Sequence, residues 1–288
     1  MTAIIFGAAG QDGFYLIRLL KERNINVIDV SRSISTVKGS ITDRALVESL
    51  IQEYKPEFIF HLAANSTTRH DALFENHETI STGTLYILES VKKYSPETKV
   101  FISGSGLQFV NHDKPIKETD LFEARDAYSV SRIQSVYASR YFRTFDLSVY
   151  VGYFFNHDSP RRTERHMAKK ISEAARRIGK GNDEKLEIGN ISVIKEWTYA
   201  DDVVKGIWTL VNQQDIWEAN VSSGLGYSIE DWLFECFSLI GKDWKEFVRI
   251  KEGFISEYSQ LVSDPTLIFS LGWKPEVSFS ELAKMMVL

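Results

Sequence analysis

The sequence predicts an α/β fold: a doubly wound parallel sheet over residues 1–155 and a smaller lobe over residues 156–288, with some later segments returning to the sheet. Three observations carry that expectation. Short continuous apolar runs alternate with segments of helical periodicity through the first half of the chain, as in a parallel sheet covered on both faces. The first of these runs ends in glycines spaced three apart. Beyond Phe155 the alternation weakens into charged helical segments, short strands and loops.

Taken in order, Ala3-Ile4-Ile5-Phe6 is an apolar run that stops at Gly7, as a buried strand would. After Gly13 the residues Tyr15, Leu16, Leu19 and Leu20 recur at helical spacing, and Asn24 can end that helix. A strand is expected at 26–30, a helix at 43–54, a strand at 58–62, a helix at 78–94 and a strand at 99–103. A long helix over 128–143 leads into a strand over 148–155. Connections this short, joining strand to helix to strand, imply parallel pairing. Further helices are expected over 163–178, 200–211 and 228–240. No repeat, low-complexity segment or Pro-rich linker divides the chain, so its two parts are expected to pack closely.

Composition removes several classes of function. An apolar content of 43% and a charged content of 25% are ordinary for a globular protein. A net charge of −5 argues against broad nucleic-acid binding, which needs excess cations. No apolar run approaches the roughly 18–20 residues of a membrane span, and no leader precedes the first strand, so a cytoplasmic protein is expected. The lone Cys236 excludes an intramolecular disulfide, and its setting in Trp232-Leu233-Phe234-Glu235-Cys236-Phe237 marks it as core filler. No histidines stand in His-x-x-x-His spacing, so no metal site is expected.

The chemistry begins at Gly7-Ala8-Ala9-Gly10-Gln11-Asp12-Gly13, directly after a strand and opening a helix. Glycines there let the backbone turn tightly and approach a pyrophosphate, which then sits on the positive end of the helix. The sheet is therefore read as a Rossmann-type dinucleotide-binding domain, with Gly7, Gly10, Gln11, Asp12 and Gly13 at the cofactor. An NAD site usually carries an acid about 20 residues beyond the glycines. At that depth stand Ser31 and Arg32, a hydroxyl and a guanidinium that suit a 2′-phosphate, so NADP(H) is expected rather than NAD(H). Were Asp29 to face the ribose instead, the reading would reverse.

Three further segments carry a family resemblance: His61-Leu62-Ala63-Ala64-Asn65-Ser66, Tyr128-Ser129-Val130-Ser131-Arg132 and Phe155-Asn156-His157-Asp158-Ser159-Pro160-Arg161-Arg162. Gly189-Asn190, Glu196-Trp197, Asp202 and Leu271-Gly272-Trp273-Lys274-Pro275 extend it to the far end. The chain resembles the extended short-chain dehydrogenase/reductases and, among them, the GDP-mannose 4,6-dehydratase family. The resemblance implies hydride exchange at C4 of a hexose on a nucleoside diphosphate, probed by Tyr128 as general acid or base and Ser105 as hydrogen-bonding partner of the C4 oxygen. It also places Ala63, Ala64, Tyr128 and Arg132 at the cofactor, Ser66 at the sugar, and Asn156, Arg161 and Lys195 around the diphosphate. The rest of the basic run, Arg165, Lys169, Lys170, Arg176 and Arg177, reads as a solvated helix face.

Several positions depart from the family pattern. The residue four after the tyrosine is lysine in the family and Arg132 here, on the same helical face. Arginine keeps the positive charge and gives up any proton relay. Leu107 stands where the dehydratases carry the glutamate that removes the C5 proton, and the adjacent Gln108 is no base. The segment 31–40 is shorter than the family's arginine-rich tetramer loop, which points to a homodimer. Three readings stay open: an NADP(H)-dependent oxidoreductase or epimerase at C4 of a GDP-linked sugar, a 4,6-dehydratase with another base, and a non-catalytic NADP(H) sensor or scaffold.

Overall fold

The computed structural model describes residues 1–33 and 35–288. Its first part runs β1 (Thr2–Phe6), α1 (Gln11–Glu22), β2 (Asn26–Ser31), β3 (Val37–Lys38), α2 (Arg44–Tyr54), β4 (Phe58–His61), α3 (Leu73–Asn76), α4 (Gly83–Tyr94), β5 (Lys99–Ser105), α5 (Ala127–Arg143) and β6 (Val149–Phe154). The second runs β7 (His157–Asp158), α6 (Met167–Gly179), β8 (Leu186–Ile188), β9 (Ile194–Glu196), β10 (Thr198–Tyr199), α7 (Ala200–Val211), β11 (Glu218–Val221), β12 (Gly226–Ser228), α8 (Ile229–Ser238), β13 (Val248–Ile250), β14 (Gln260–Leu261), α9 (Thr266–Ser270) and α10 (Phe279–Val287).

The apolar runs pair in parallel into a seven-stranded sheet of order β11-β6-β5-β4-β1-β2-β3. Strand order reverses between β1 and β4, and the crevice at the carboxyl ends of these strands is where such sheets bind ligands. β11, from the second half of the sequence, closes the far edge against β6. Two apolar layers cover the sheet. α1 and α7 bring Leu16, Leu20, Val203 and Ile207 to one face, and α2, α4 and α5 bring Val47, Ile51, Ile87 and Val136 to the other. The first layer continues into the lobe, where Trp197 and Trp232 stack at 4.7 Å beside Phe279.

Local differences from the sequence reading have physical causes. The helix expected over 78–94 opens with a widened π turn at His77–Thr82, whose Ser81 hydroxyl donates to Ser131 O at 3.1 Å and Gln134 Oε1 at 2.8 Å on α5. The helix expected from residue 163 starts at Met167, because turns closed by Arg162 N to Ser159 O and His166 N to Thr163 O precede it. Asn24 has φ +58°, the left-handed backbone that ends a helix. Two buried carboxylates tie the lobe together. Glu196 accepts from the backbone N–H groups of Ser223, Gly224 and Ser263, and Asp202 from those of Glu276 and Val277. No described helix is long and apolar enough to cross a membrane.

Glu218 on β11 clamps the sheet edge to α5. It accepts from Arg140 Nε at 2.9 Å, Arg143 Nη1 at 2.6 Å and the Tyr153 hydroxyl at 2.5 Å. Burial would raise its pKa, but the bonds from Arg140 and Tyr153 and the charge of Arg143 hold it at about 2. Removing the carboxylate leaves Arg143 partly buried and unpaired, so Glu218→Ala is expected to cost about 3 kcal/mol. The depressed pKa makes this stability present above the ordinary carboxylate range and lost as pH falls toward 2. Melting temperatures of the two proteins should therefore differ most at neutral pH and converge between about pH 5 and pH 2.

Candidate active site

The turn after β1 is possible only with glycine. Gly7 has φ +89°, and a Cβ on it would lie 2.5 Å from Ala63 N and 2.8 Å from Ala63 Cα. That approach brings the β1 turn against the end of β4, fixed by Leu62 N donating to Phe6 O at 2.9 Å. Gly13 lets α1 settle on the same turn, since its Cβ would meet Ala8 O at 2.6 Å. Gly10 is the N-cap of α1. Gly7 and Gly10 floor an outer cleft of about 460 Å³, walled by Ser31 and Arg32 on one side and by Ala63 and Ala64 on another.

The ribose end of that cleft carries no acid from β2. Asp29 turns away from it and accepts from Thr36 N at 3.0 Å and from the Thr36 hydroxyl. Arg32 is 75% exposed and, among the described residues, pairs with Glu75 at 3.4 Å. The opposite wall is basic: Arg161, Arg162, Arg165 and His166 all face the cleft. Arg161 lies over the Phe14 ring at 3.7 Å. The cradle fits a dinucleotide, because glycine backbone, a helix N-terminus and clustered cations are what a pyrophosphate needs.

An inner cleft of about 200 Å³ adjoins it, lined by Ser105, Leu107, Tyr128, Arg132 and Asn156 among others. Tyr128 sits in the first turn of α5, which Asp126 caps by accepting from Tyr128 N and Ser129 N, both at 2.8 Å. Arg132, one turn on, has its guanidinium 4.9 Å from the Tyr128 ring centroid. It is 3% exposed. Its Nη1 donates to Ser103 O and, at 2.8 Å, to Ser103 Oγ, while Nε is buried with no partner among the described residues. The turn after β5 is set by Gln108, whose Oε1 accepts from Ser105 N at 2.9 Å, while Ser105 Oγ accepts from Leu107 N at 3.2 Å. That bond buries Gln108 and leaves Leu107 facing the cleft.

The segment after β6 joins the two clefts. Gln11 Nε2 donates to His157 O at 3.1 Å, and Ser159 Oγ donates to Gln11 Oε1 at 2.9 Å. His157 bonds Asp12 Oδ1 through Nε2 at 2.9 Å and Phe155 O through Nδ1 at 2.8 Å. A carbonyl and a carboxylate both accept, so the imidazolium form satisfies both contacts. Burial disfavours charge on either group, yet their mutual attraction raises the His157 pKa and lowers that of Asp12. His61 and His166 are pushed the other way, each to about 3, by burial and neighbouring arginines.

Most residues expected from the sequence meet in these clefts, with four differences. Gly13 packs against Ala8 and lines neither cleft. Arg161 lies along the outer cleft, held there by Phe14, and Arg162 reaches both. Lys195 lines neither; its ammonium sits 5.1 Å from the Trp197 ring and burial lowers its pKa. Arg132 is bonded to Ser103 within the protein. Ser66 lies at the junction of both clefts, and Asn156 has a buried Oδ1 with no partner among the described residues. Tyr258, Leu261 and His166 also line the inner cleft. Sequence reasoning passed over them; the first two come from a segment around the two-residue strand β14 with no periodic signal. Among the described residues no three His, Cys, Asp or Glu side chains gather as metal ligands.

Comparison with known proteins agrees on one family. The model of the GDP-mannose 4,6 dehydratase family matches residues 4–286. GDP-mannose 4,6 dehydratase 2 of Arabidopsis thaliana is 29% identical, over 99% of this chain and 85% of its own. The Homo sapiens GDP-mannose 4,6 dehydratase is 28% identical over 99% and 90%. Among solved structures, UDP-glucose 4-epimerase of Thermotoga maritima with UDP-glucose superposes with a TM-score of 0.88 at 23% identity, covering 100% of this chain and 97% of that one. RMD from Pseudomonas aeruginosa, complexed with NADPH, gives 0.87 at 19% over 99% and 96%. These two establish the shared fold.

Proposed function

Since the chain belongs to the GDP-mannose 4,6 dehydratase family, we propose that it is an NADP(H)-dependent enzyme exchanging a hydride at C4 of a GDP-linked sugar, with no loss of water. The observation that carries this is the inner cleft: Tyr128, Ser105 and Arg132 stand together, and the only carboxylate among its described lining residues is Asp12, already paired with His157. Relatives carry the dehydratase name, and the structure with RMD binds NADPH.

A nicotinamide dinucleotide supplies the hydride exchange when bound. Gly7, Gly10, Gln11 and Asp12 would hold its pyrophosphate, with Gly13 letting α1 pack onto the turn, Ser31 and Arg32 would hold a 2′-phosphate, and Ala63 and Ala64 would meet its inner end. On the sugar side, Tyr128 exchanges a proton with the C4 oxygen and the Ser105 hydroxyl hydrogen-bonds the same atom. Arg132 keeps a permanent positive charge beside the phenol, where negative charge develops. Ser66 meets the sugar. Asn156 and Arg162 meet the diphosphate, with Arg161 on the cofactor side. The protein is read as a cytoplasmic homodimer joined through α4 and α5, around which Leu85, Tyr137, Tyr141 and Phe145 are exposed large apolar side chains.

Incubation with GDP-mannose and NADP⁺ should leave the mass of the nucleotide sugar without a loss of water; a product lighter by one water would overturn the reading. Tyr128→Phe should slow hydride exchange on a 4-keto GDP-sugar by at least about a hundredfold while NADPH still binds. For the cofactor, Arg32→Ala should weaken NADPH by about 10- to 100-fold in calorimetry and leave NADH unaltered. Equal loss for both would remove the 2′-phosphate role. Sedimentation should give twice the chain mass, and Tyr141→Asp should halve it; a native monomer would sink the dimer.

A further inference from the structure

One buried charge pair joins the two clefts and has no part in the proton exchange assigned above. Asp12, in the first turn of α1, lines both the outer and the inner cleft. A pyrophosphate on the α1 N-terminus is served by backbone N–H groups, but the Asp12 carboxylate beside it is a second anion and opposes it. The counter-charge comes from the far side of the clefts. His157 on β7 is 8% exposed and bonds Asp12 Oδ1 through Nε2 at 2.9 Å and Phe155 O through Nδ1 at 2.8 Å. A neutral imidazole carries one N–H and could donate to only one of these acceptors. The Phe154 ring meets the imidazole edge to face at 5.3 Å. The other charged or titratable groups packed around the pair are Asp158, Arg162, His166 and Lys195. Asp158 pairs with Arg162 at 3.4 Å, and His166 is held neutral. Burial and the charge of Arg162 work against an imidazolium at His157, yet Asp12 outweighs them and lifts its pKa above the ordinary value.

We propose that His157 is a positioning residue of the dinucleotide site: as an imidazolium supplied by the segment after β6, it neutralises Asp12 so that a pyrophosphate can settle on the α1 N-terminus. This rests on the reading of the outer cleft as an NADP(H) site. The same segment is also tied to the glycine turn by uncharged bonds, from Gln11 Nε2 to His157 O at 3.1 Å and from the Ser159 hydroxyl to Gln11 Oε1 at 2.9 Å. Those bonds keep the segment in place when the charge on His157 is removed, so the charge can be tested apart from the fold.

The test is calorimetry of NADPH on His157→Gln, Asp12→Asn and the double variant, with melting temperatures alongside. Glutamine keeps a donor for Asp12 and removes the charge. His157→Gln should weaken NADPH by at least about tenfold, because the carboxylate is left uncompensated. Asp12→Asn should bind NADPH no less tightly than the native protein. The double variant, neutral at both positions, should return to within about threefold of it. Relative to the double variant, native affinity should fall as pH rises above about 6.5, through the raised pKa of His157. Undiminished binding by His157→Gln, a loss in Asp12→Asn, a double variant as weak as His157→Gln, or parallel pH profiles would each overturn the proposal. The expected pattern without hydride exchange on a 4-keto GDP-sugar would keep the role of His157 and remove the C4 reading. Hydride exchange with NADPH bound equally by all four proteins would do the reverse.

Discussion

The closeness of the β1 turn to the end of β4 governs the rest of the molecule. A side chain at position 7 would drive its Cβ to 2.5 Å from Ala63 N, so the two strand ends can meet only across glycine. Their meeting sets where both clefts lie. Gly7 and Ala63 line the outer one, while Leu62 and Ala64 continue into the inner one. The helix that starts four residues later is thereby aimed along the outer cleft, and Gln11 and Asp12 in its first turn reach the segment after β6. One backbone contact thus places the dinucleotide cradle, the helix terminus that serves it and the clasp to the sugar side.

Charge is distributed on the same plan. The outer cleft is walled by arginines that remain largely in contact with solvent or with single carboxylates. Arg132 is different: it is buried, its neighbours are a serine carbonyl and hydroxyl, and no carboxylate pairs with it among the described residues. A buried guanidinium without a counter-ion is costly unless something anionic or electron-rich is near. The face of Tyr128 partly meets that need at 4.9 Å. The same positive field lies on His61, which burial and Arg132 together hold near pKa 3. A lysine in this place would be a compact charge on a flexible stem; arginine spreads the charge and anchors itself to β5 through Ser103.

Much of this was legible in the sequence because it is local. Continuous apolar runs marked the strands from β1 to β6, glycine spacing marked the turn, and Tyr128 with Arg132 lay one helical turn apart on one face. What could not be read depends on partners distant in the chain. The direction of Asp29 is decided by Thr36, and the difference between Arg161 and Arg162 by the ring of Phe14. Lys195 was placed at the diphosphate by matched position alone, and the structure sets it against Trp197. Tyr258 and Leu261 enter the cleft from a segment with no apolar periodicity, so nothing in their own neighbourhood announces a role.

The proton inventory of the inner cleft bears on which reaction it can serve. Hydride exchange at a carbinol carbon moves one proton, to or from the oxygen. Elimination of water moves two more, one off carbon and one onto the departing hydroxyl. Of the titratable groups that line this cleft, Asp12 and His157 are bound to each other. His166 is held near pKa 3 and Tyr258 near 12, so neither can alternate between acid and base around neutral pH. Arg162 and Arg132 do not give up protons at all. Tyr128 lines the same cleft with Ser105 and Arg132, and Leu107 presents an apolar side chain to it. An exchange that moves a single proton therefore asks less of these side chains than an elimination that needs two further transfers.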